Sequence, residues 1–376
     1  MARLLVAGDI MPAGANEAVF RAGDSAAILG DLLPVFHGAD LVVGNLECPL
    51  LDAPSPVAKS GPVLGVTDDC VHGLEAMGVD VLGLANNHIM DHGPSGLNST
   101  LDACKTAGIA CVGAGPDLES ASRISVHDVG GCSVGVLALA EHEFGIAGRT
   151  ESGVCPLDPV VFIRVLLSQK DQYDALIVLI HGGNEFYPDP RPSLQRMCRL
   201  LAELGATLVV CQHSHIVGCH EEYHGSHIVY GQGNFIFSGN GKPACWHEGL
   251  LLSLEIGEGS SPAVEWIPVV QGTDGSPGTR RMAGSQRKAF EEGFRKRSQE
   301  VMDPLAVEAR WNDYCQQQKD LYLRRLGSPH RLFRLVDKFT GLIRYLEQRP
   351  RIRLDHLNLV RCESHRAVLI NILENK

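Results

Sequence analysis

The sequence predicts an α/β fold organised around a largely parallel central sheet. Two observations carry this expectation: short apolar runs without polar alternation, and helical patterns that fall between them. Runs rich in Val, Leu and Ile that lack alternation are strands buried on both faces. They are RLLVAG (3–8), ADLVVGN (39–45), DVLGLAN (80–86), IACVGAG (109–115), SVGVLALA (133–140), DALIVLI (174–180) and ATLVVCQ (206–212). Strands that alternate with helices in one chain close into a parallel sheet.

Residues 95–107 read as a helix, with Ser95 as N-cap, Leu97, Leu101 and Cys104 on one face, and Gly108 as the stop. Leu194, Met197, Leu200 and Leu201 mark another helix at 192–204. From about residue 223 the texture changes. HIVYGQGNFIF, GLLLSLEIG and AVEWIPVV read as consecutive strands that extend the sheet or form a second one. GTDGSPGT (272–279) is a Gly/Pro/Ser-rich break. The chain therefore divides into a domain over 1–271, a linker over 272–283 and a helical extension over 284–376. In the extension Phe290, Phe294, Trp311, Tyr314, Leu321 and Tyr322 recur at helical intervals, as in amphipathic helices that dock on the domain or on a partner.

Composition narrows the function. With 376 residues, 44% of them hydrophobic, the chain can bury one large domain and an appendage. A net charge of −11 disfavours binding to phosphate backbones, so no nucleic-acid partner is expected. The twelve cysteines form no CxxC pair and read as small core residues of a reduced protein. The apolar part of MARLLVAGDIM is too short for a signal peptide. No later run reaches about 18 apolar residues, so no transmembrane segment is expected and the expected location is cytoplasmic.

The chemistry collects at strand ends: GD (8–9), GNLE (44–47), NNH (86–88), HGGNE (181–185) and QHSH (212–215). In open α/β sheets, sites form outside the carboxyl ends of strands, so these ends are expected to converge. They offer oxygen donors from Asp9, Glu47 and Asn87, and nitrogen donors from His181, His213 and His215. A mixed set without cysteine suits one or two divalent ions of Mn, Fe or Zn better than calcium or a structural zinc. His213 and His215, two apart on an extended segment, would point the same way. A serine hydrolase is disfavoured: the GxSxG at Gly131–Gly135 precedes the HGG string, and no helix pattern follows Ser133.

The order of these strings resembles the calcineurin-like metallophosphoesterase superfamily. The fuller strings GDIM (8–11), NLECPL (45–50), DVLGLANNHIMDHG (80–93), GIACVGAG (108–115), HGGNE, QHSH and IVYGQGNFIF (228–237) resemble its CapA family, also called PgsA or poly-γ-glutamate capsule synthesis proteins. The resemblance covers about residues 3–240. It implies a metallophosphatase-like α/β/β/α sandwich with a C-terminal helical extension. It also implies a metal-dependent hydrolase of a phosphoester or related bond, acting in the biosynthesis of a capsule or another extracellular polymer. By the same resemblance Asp9 is a ligand of a first metal, Glu47 bridges, and Asn87 and His181 hold a second. His213 joins them and His215 turns back to the first. His88 takes the place of the general acid. Asp91, three residues on, is suited to orient it. Lys59, Glu185 and Asn234 lie in family-like strings and are expected as substrate contacts. Two positions depart from the superfamily pattern: Met11 stands where GDxH has histidine, and the bridging carboxylate is Glu47 rather than an aspartate. Met11 keeps open a second reading, a non-catalytic metal-binding scaffold in a polymer synthesis complex. In either reading the partners are a small-molecule or polymer substrate and polymer synthesis proteins, the latter met by the C-terminal helices.

Overall fold

The computed structural model of the protein describes residues 2–239, 241–257, 262–273, 276–326 and 349–374. Its first strands pair in parallel in one sheet: β1 (Ala2–Met11), β2 (Leu41–Leu46), β3 (Val81–Gly83) and β4 (Ala110–Val112). The next six form a second sheet: β5 (Ser125–Val129), β6 (Cys132–Ala140), β7 (Ala175–His181), β8 (Leu208–Gln212), β9 (Val217–Tyr223) and β10 (Ser226–Gln232). There β6, β7, β8 and β10 run in parallel, flanked by antiparallel β5 and β9. The chain then returns to the first sheet. β11 (Asn234–Phe237) lies parallel to the end of β1, and β12 (Glu248–Ile256), β13 (Ala263–Thr273) and β14 (Ser276–Arg281) follow as antiparallel neighbours.

Of the two arrangements expected, a second sheet is the one found, both sheets are mixed, and the alternation along β7 shows how they stack. Ile177 and Leu179 join the core shared with β1 and β2, whereas Leu176, Val178 and Ile180 join an outer core. Helices pack onto that outer core, through Phe162 and Leu166 in Pro159–Gln169 and Leu194, Cys198 and Leu201 in Pro192–Glu203. Apolar residues fill both faces because one meets the other sheet and the other meets helices. This is the α/β/β/α order. Close approach of β11 to β1 depends on glycine. A Cβ at Gly8 would lie 2.2 Å from the Gly233 carbonyl oxygen, and Gly233 itself has φ of +71°.

Three expectations need correction. The helix at 95–107 begins at Gly93, with His92 rather than Ser95 at its N-cap, because Pro94 is pre-set for a first turn. Residues 272–283 are not a linker: β14 occupies most of that stretch as the edge strand of the first sheet, the place where Pro277 costs no ladder bond. Leu321 faces solvent rather than a core.

The extension folds back on its own domain. Label its helices α1 (Gly284–Glu300), α2 (Pro304–Arg325), α3 (Pro350–Arg361) and α4 (Glu363–Glu374). Phe290 and Phe294 of α1 enter the inter-sheet core, with Phe294 5.6 Å from Trp266. Trp311, Cys315 and Tyr322 of α2 make a further core with Leu359, Val368 and Leu369, closed on the domain side by Tyr187. The cysteines are free, and all but Cys111, Cys132 and Cys245 are buried. Among the described residues no helix is long and apolar enough to cross a membrane.

Candidate metal centre

The ends of β1, β2, β7 and β8 meet with the turn after β3 at one end of the sandwich. There the structure brings Asp9, Glu47, Asn87, His181, His213 and His215 together. His181 Nε2 lies 3.1 Å from Asn87 Oδ1, 3.1 Å from His213 Nδ1 and 3.4 Å from Glu47 Oε1. His215 stands 3.8 Å from both Asp9 Oδ2 and Glu47 Oε1. Two ligand groups result, Glu47 with His181 and His213, and Glu47 with Asp9 and His215. Glu47 belongs to both.

Glu47 is also unusual among the described polar residues. It is 0% exposed, and neither carboxylate oxygen has a hydrogen-bond donor. His213 and the neighbouring Asp9 moderate its charge. A buried, undonated carboxylate is costly unless a cation sits beside it. The donor set around it, carboxylate and imidazole, is the chemistry of a divalent transition ion, so these residues fit a resident metal. Met11 is packed in the inter-sheet core and offers no ligand.

Electrostatics agree with that assignment. Burial, reinforced by Glu47, raises the Asp9 pKa to about 7. Burial also raises Glu47 to about 8, with Glu185 and Glu143 adding to it and His213 opposing. Burial and His213 push His181 down to about 3, and the same causes take His215 well below its ordinary value, so both imidazoles are neutral. His213 moves upward: burial opposes its charge, but Glu143, Glu185 and Glu47 outweigh it. Asp9 and Glu47 have folded-state pKa values above their ordinary ones. In the metal-free protein they therefore favour the folded state at acid pH and lose that contribution as pH rises toward 8. His181 and His215 act oppositely, but their contribution to the pH dependence fades above their ordinary value of 6.5, where the unfolded imidazoles also lose their protons. Between pH 6.5 and 8 the thermal midpoint of chelator-treated protein should fall. Added Mn²⁺ should restore it, most at the upper end, because the ion displaces those protons.

The backbone that carries His213 and His215 is not the extended segment expected. β8 stops at Gln212, and the two histidines have φ of +87° and +57°. Left-handed backbone at non-glycine residues costs about 1–3 kcal/mol each and persists where the surroundings fix it. Here the His213 N–H donates to Asp9 Oδ2 at 3.2 Å, and His215 Nδ1 lies 3.0 Å from Asn234 Oδ1.

That second bond reassigns Asn234. It is fully buried opposite Asp9 in the β1–β11 pairing, and it orients His215 instead of facing a substrate. Lys59 is likewise committed. Its ammonium pairs with Asp91 and donates to the Asn87 carbonyl at 2.9 Å, with its side chain 3% exposed. Glu185 stays exposed on the rim, where a substrate contact is open to it. His88 and Asp91 do meet: His88 Nδ1 lies 2.7 Å from Asp91 Oδ2, which also accepts from the Leu64 N–H at 2.7 Å.

Several supporting residues escaped the sequence reading. Asn45 Nδ2 donates to Asp9 Oδ1 at 2.7 Å and lies 3.4 Å from His181 Nδ1. Asn86 Oδ1 accepts from the His88 and Ile89 N–H groups, while its Nδ2 donates to the Leu46 carbonyl at 2.8 Å. His92 Nδ1 accepts from the Ser55 N–H, pinning the loop that carries Lys59. Glu143, three residues past β6, interacts with His213 and with the Asn87 side chain. The strand-end rule would have found it, since AEHEF closes β6 just as HGGNE closes β7.

Comparison with known proteins places this geometry in context. The profile of the family described as bacterial capsule synthesis protein PGA_cap matches residues 3–239. The PGA biosynthesis protein CapA of Bacillus subtilis (strain 168) is 32% identical over 234 residues, 61% of this chain and 62% of that one. The capsule biosynthesis protein CapA of Bacillus anthracis is 27% identical over 243 residues, covering 62% and 59%. The chain thus spans about three-fifths of the length of these curated relatives. A 5'-nucleotidase precursor of Thermus thermophilus superposes with a TM-score of 0.42 at 18% identity, over 80% of this chain and 59% of that one.

Proposed function

Because the chain belongs to the bacterial capsule synthesis protein family, PGA_cap, we propose that it is a metal-dependent hydrolase of a phosphoester or related bond in the making of a capsule or similar polymer. The observation that carries the reading is Glu47, a buried carboxylate without hydrogen-bond donors that two ligand groups share. Asp9 and His215 would hold one divalent ion of Mn, Fe or Zn, Asn87, His181 and His213 a second, and Glu47 both. Such ions supply Lewis-acid polarisation of a phosphoryl oxygen and a more acidic water.

The chain's own residues do the rest. Asn45 and Asn234 fix the orientations of Asp9 and His215. Asp91 holds His88 through Nδ1, leaving Nε2 to exchange a proton with the leaving group. Donating that proton requires the imidazolium, which burial and Lys59 oppose and which Asp91 and Glu143 favour. An anionic substrate would add to the favouring side. Lys59 in turn pairs with the other oxygen of Asp91 in a buried ion pair.

The test is elemental analysis with a turnover assay. Purified protein should carry one to two divalent ions per chain and show Mn²⁺-stimulated hydrolysis of a generic phosphodiester or monoester. His88→Ala should lose that activity and keep the metal. Asp91→Asn should cost about 10–100-fold, as orienting partners do. Absence of bound metal after Mn²⁺ addition would sink the reading. Met11 favours a second one, a metal-binding scaffold in a polymer synthesis complex. That reading gains if Asp9→Asn and His181→Ala leave polymer output unchanged.

A further inference from the structure

A separate set of donor atoms lies where the extension meets the domain. We propose that Glu143, Cys362 and His365 form a coordination site for a thiophilic divalent ion such as Zn²⁺, fastening the α3–α4 corner to the end of β6. One ligand atom from each lies within 4.8 Å of the others. None of the three belongs to the two groups that share Glu47.

The local structure supports a built site. Cys362 ends α3 with φ of −69° and ψ of 127°, and α4 begins at the next residue. His365 follows in the first turn of α4. Cys362 and His365 therefore form a C-x-x-H pair wrapped round one corner, a spacing that lets both reach a single ion. The Tyr322 hydroxyl lies 2.7 Å from His365 Nδ1, which fixes the ring and leaves Nε2 as the ligand atom. Asn358 Nδ2 donates to Glu143 Oε1 at 3.4 Å.

Glu143 supplies the carboxylate of the site, and its side chain also meets Asn87 of the neighbouring centre. Burial, with Glu143 and Glu141 adding to it, pushes the Cys362 thiol up to about 12, against the smaller opposing pull of the His365 backbone N–H and Ser364. A coordinated ion would complete the deprotonation. The corner is already registered against the domain. Glu363 accepts from the His142 N–H at 2.7 Å, and Ser364 Oγ donates to the Gly183 carbonyl at 2.6 Å. Three protein donors leave a fourth tetrahedral position for water or a substrate group.

Cobalt separates this site from the Glu47 centre, which has no thiolate. Metal-depleted full-length protein titrated with Co²⁺ should develop a thiolate-to-cobalt charge-transfer band in the near ultraviolet, beside the ligand-field bands of the other centre. Cys362→Ser should abolish the charge-transfer band and lower bound Zn²⁺ by one per chain, with circular dichroism unchanged. His365→Gln should weaken the band. If the wild-type protein shows no such band, or if the band survives in Cys362→Ser, the inference is overturned. The hydrolase reading stands or falls separately, on Glu47 and His88.

Discussion

Glu47→Ala is expected to strip metal from both ligand groups at once and to lower hydrolysis by about 10³-fold or more. Loss of Lewis-acid stabilisation removes several kcal/mol, and about 4 kcal/mol corresponds to that factor. The expectation rests on sharing: no other residue belongs to both groups. Asp9→Ala or His181→Ala should each weaken one group and leave the other, so metal content should fall in part. The combination checks the arrangement more sharply than any single activity value. Full metal content in Glu47→Ala would mean that the groups do not depend on a common carboxylate.

Arg191→Leu should be the most destabilising single change outside the metal centre, by about 3–5 kcal/mol, because it strands a buried charge. Arg191 and Glu141 pair with side chains 3% and 4% exposed, and Ser364 Oγ lies 2.5 Å from the other Glu141 oxygen. The pair thus joins the end of β6, the helix that follows Arg191 and the start of α4. Denaturant unfolding should show the loss, and limited proteolysis should show α3 and α4 released first. Glu141→Gln added to Arg191→Leu should recover much of it, since the uncompensated charge is gone. A single variant as stable as the wild type would show that the carboxylate finds another partner.

Much of this architecture was legible in the sequence because it is local. Unbroken apolar runs became strands at the expected places, and the polar residues at their ends met in space. What stayed hidden depends on pairing between distant segments. An apolar strand covered by helices on both faces reads the same as one covered by a helix and a second sheet, so the sandwich came only from the resemblance. Asn234 looked like a substrate contact because nothing in GNF says that β11 lies beside Asp9. Lys59 looked available because its partner Asp91 arrives from another loop. The Pro and Gly of SPGT suggested a break, yet an edge strand tolerates both. The left-handed backbone at His213 and His215 had no sequence signal, since histidine there is held by hydrogen bonds and not by its own preference.

The bond from the His213 N–H to Asp9 Oδ2 spans 204 residues of chain. A centre knit from such distant positions exists only when both sheets are formed and apposed, late in folding. Interactions absent from the folding transition state change the unfolding rate and leave the folding rate almost untouched. A bound ion would therefore act as a kinetic lock, lengthening the lifetime of the finished protein without guiding its assembly. Cellular metal supply would then govern how long each molecule persists, and the rate at which new molecules mature would not follow it.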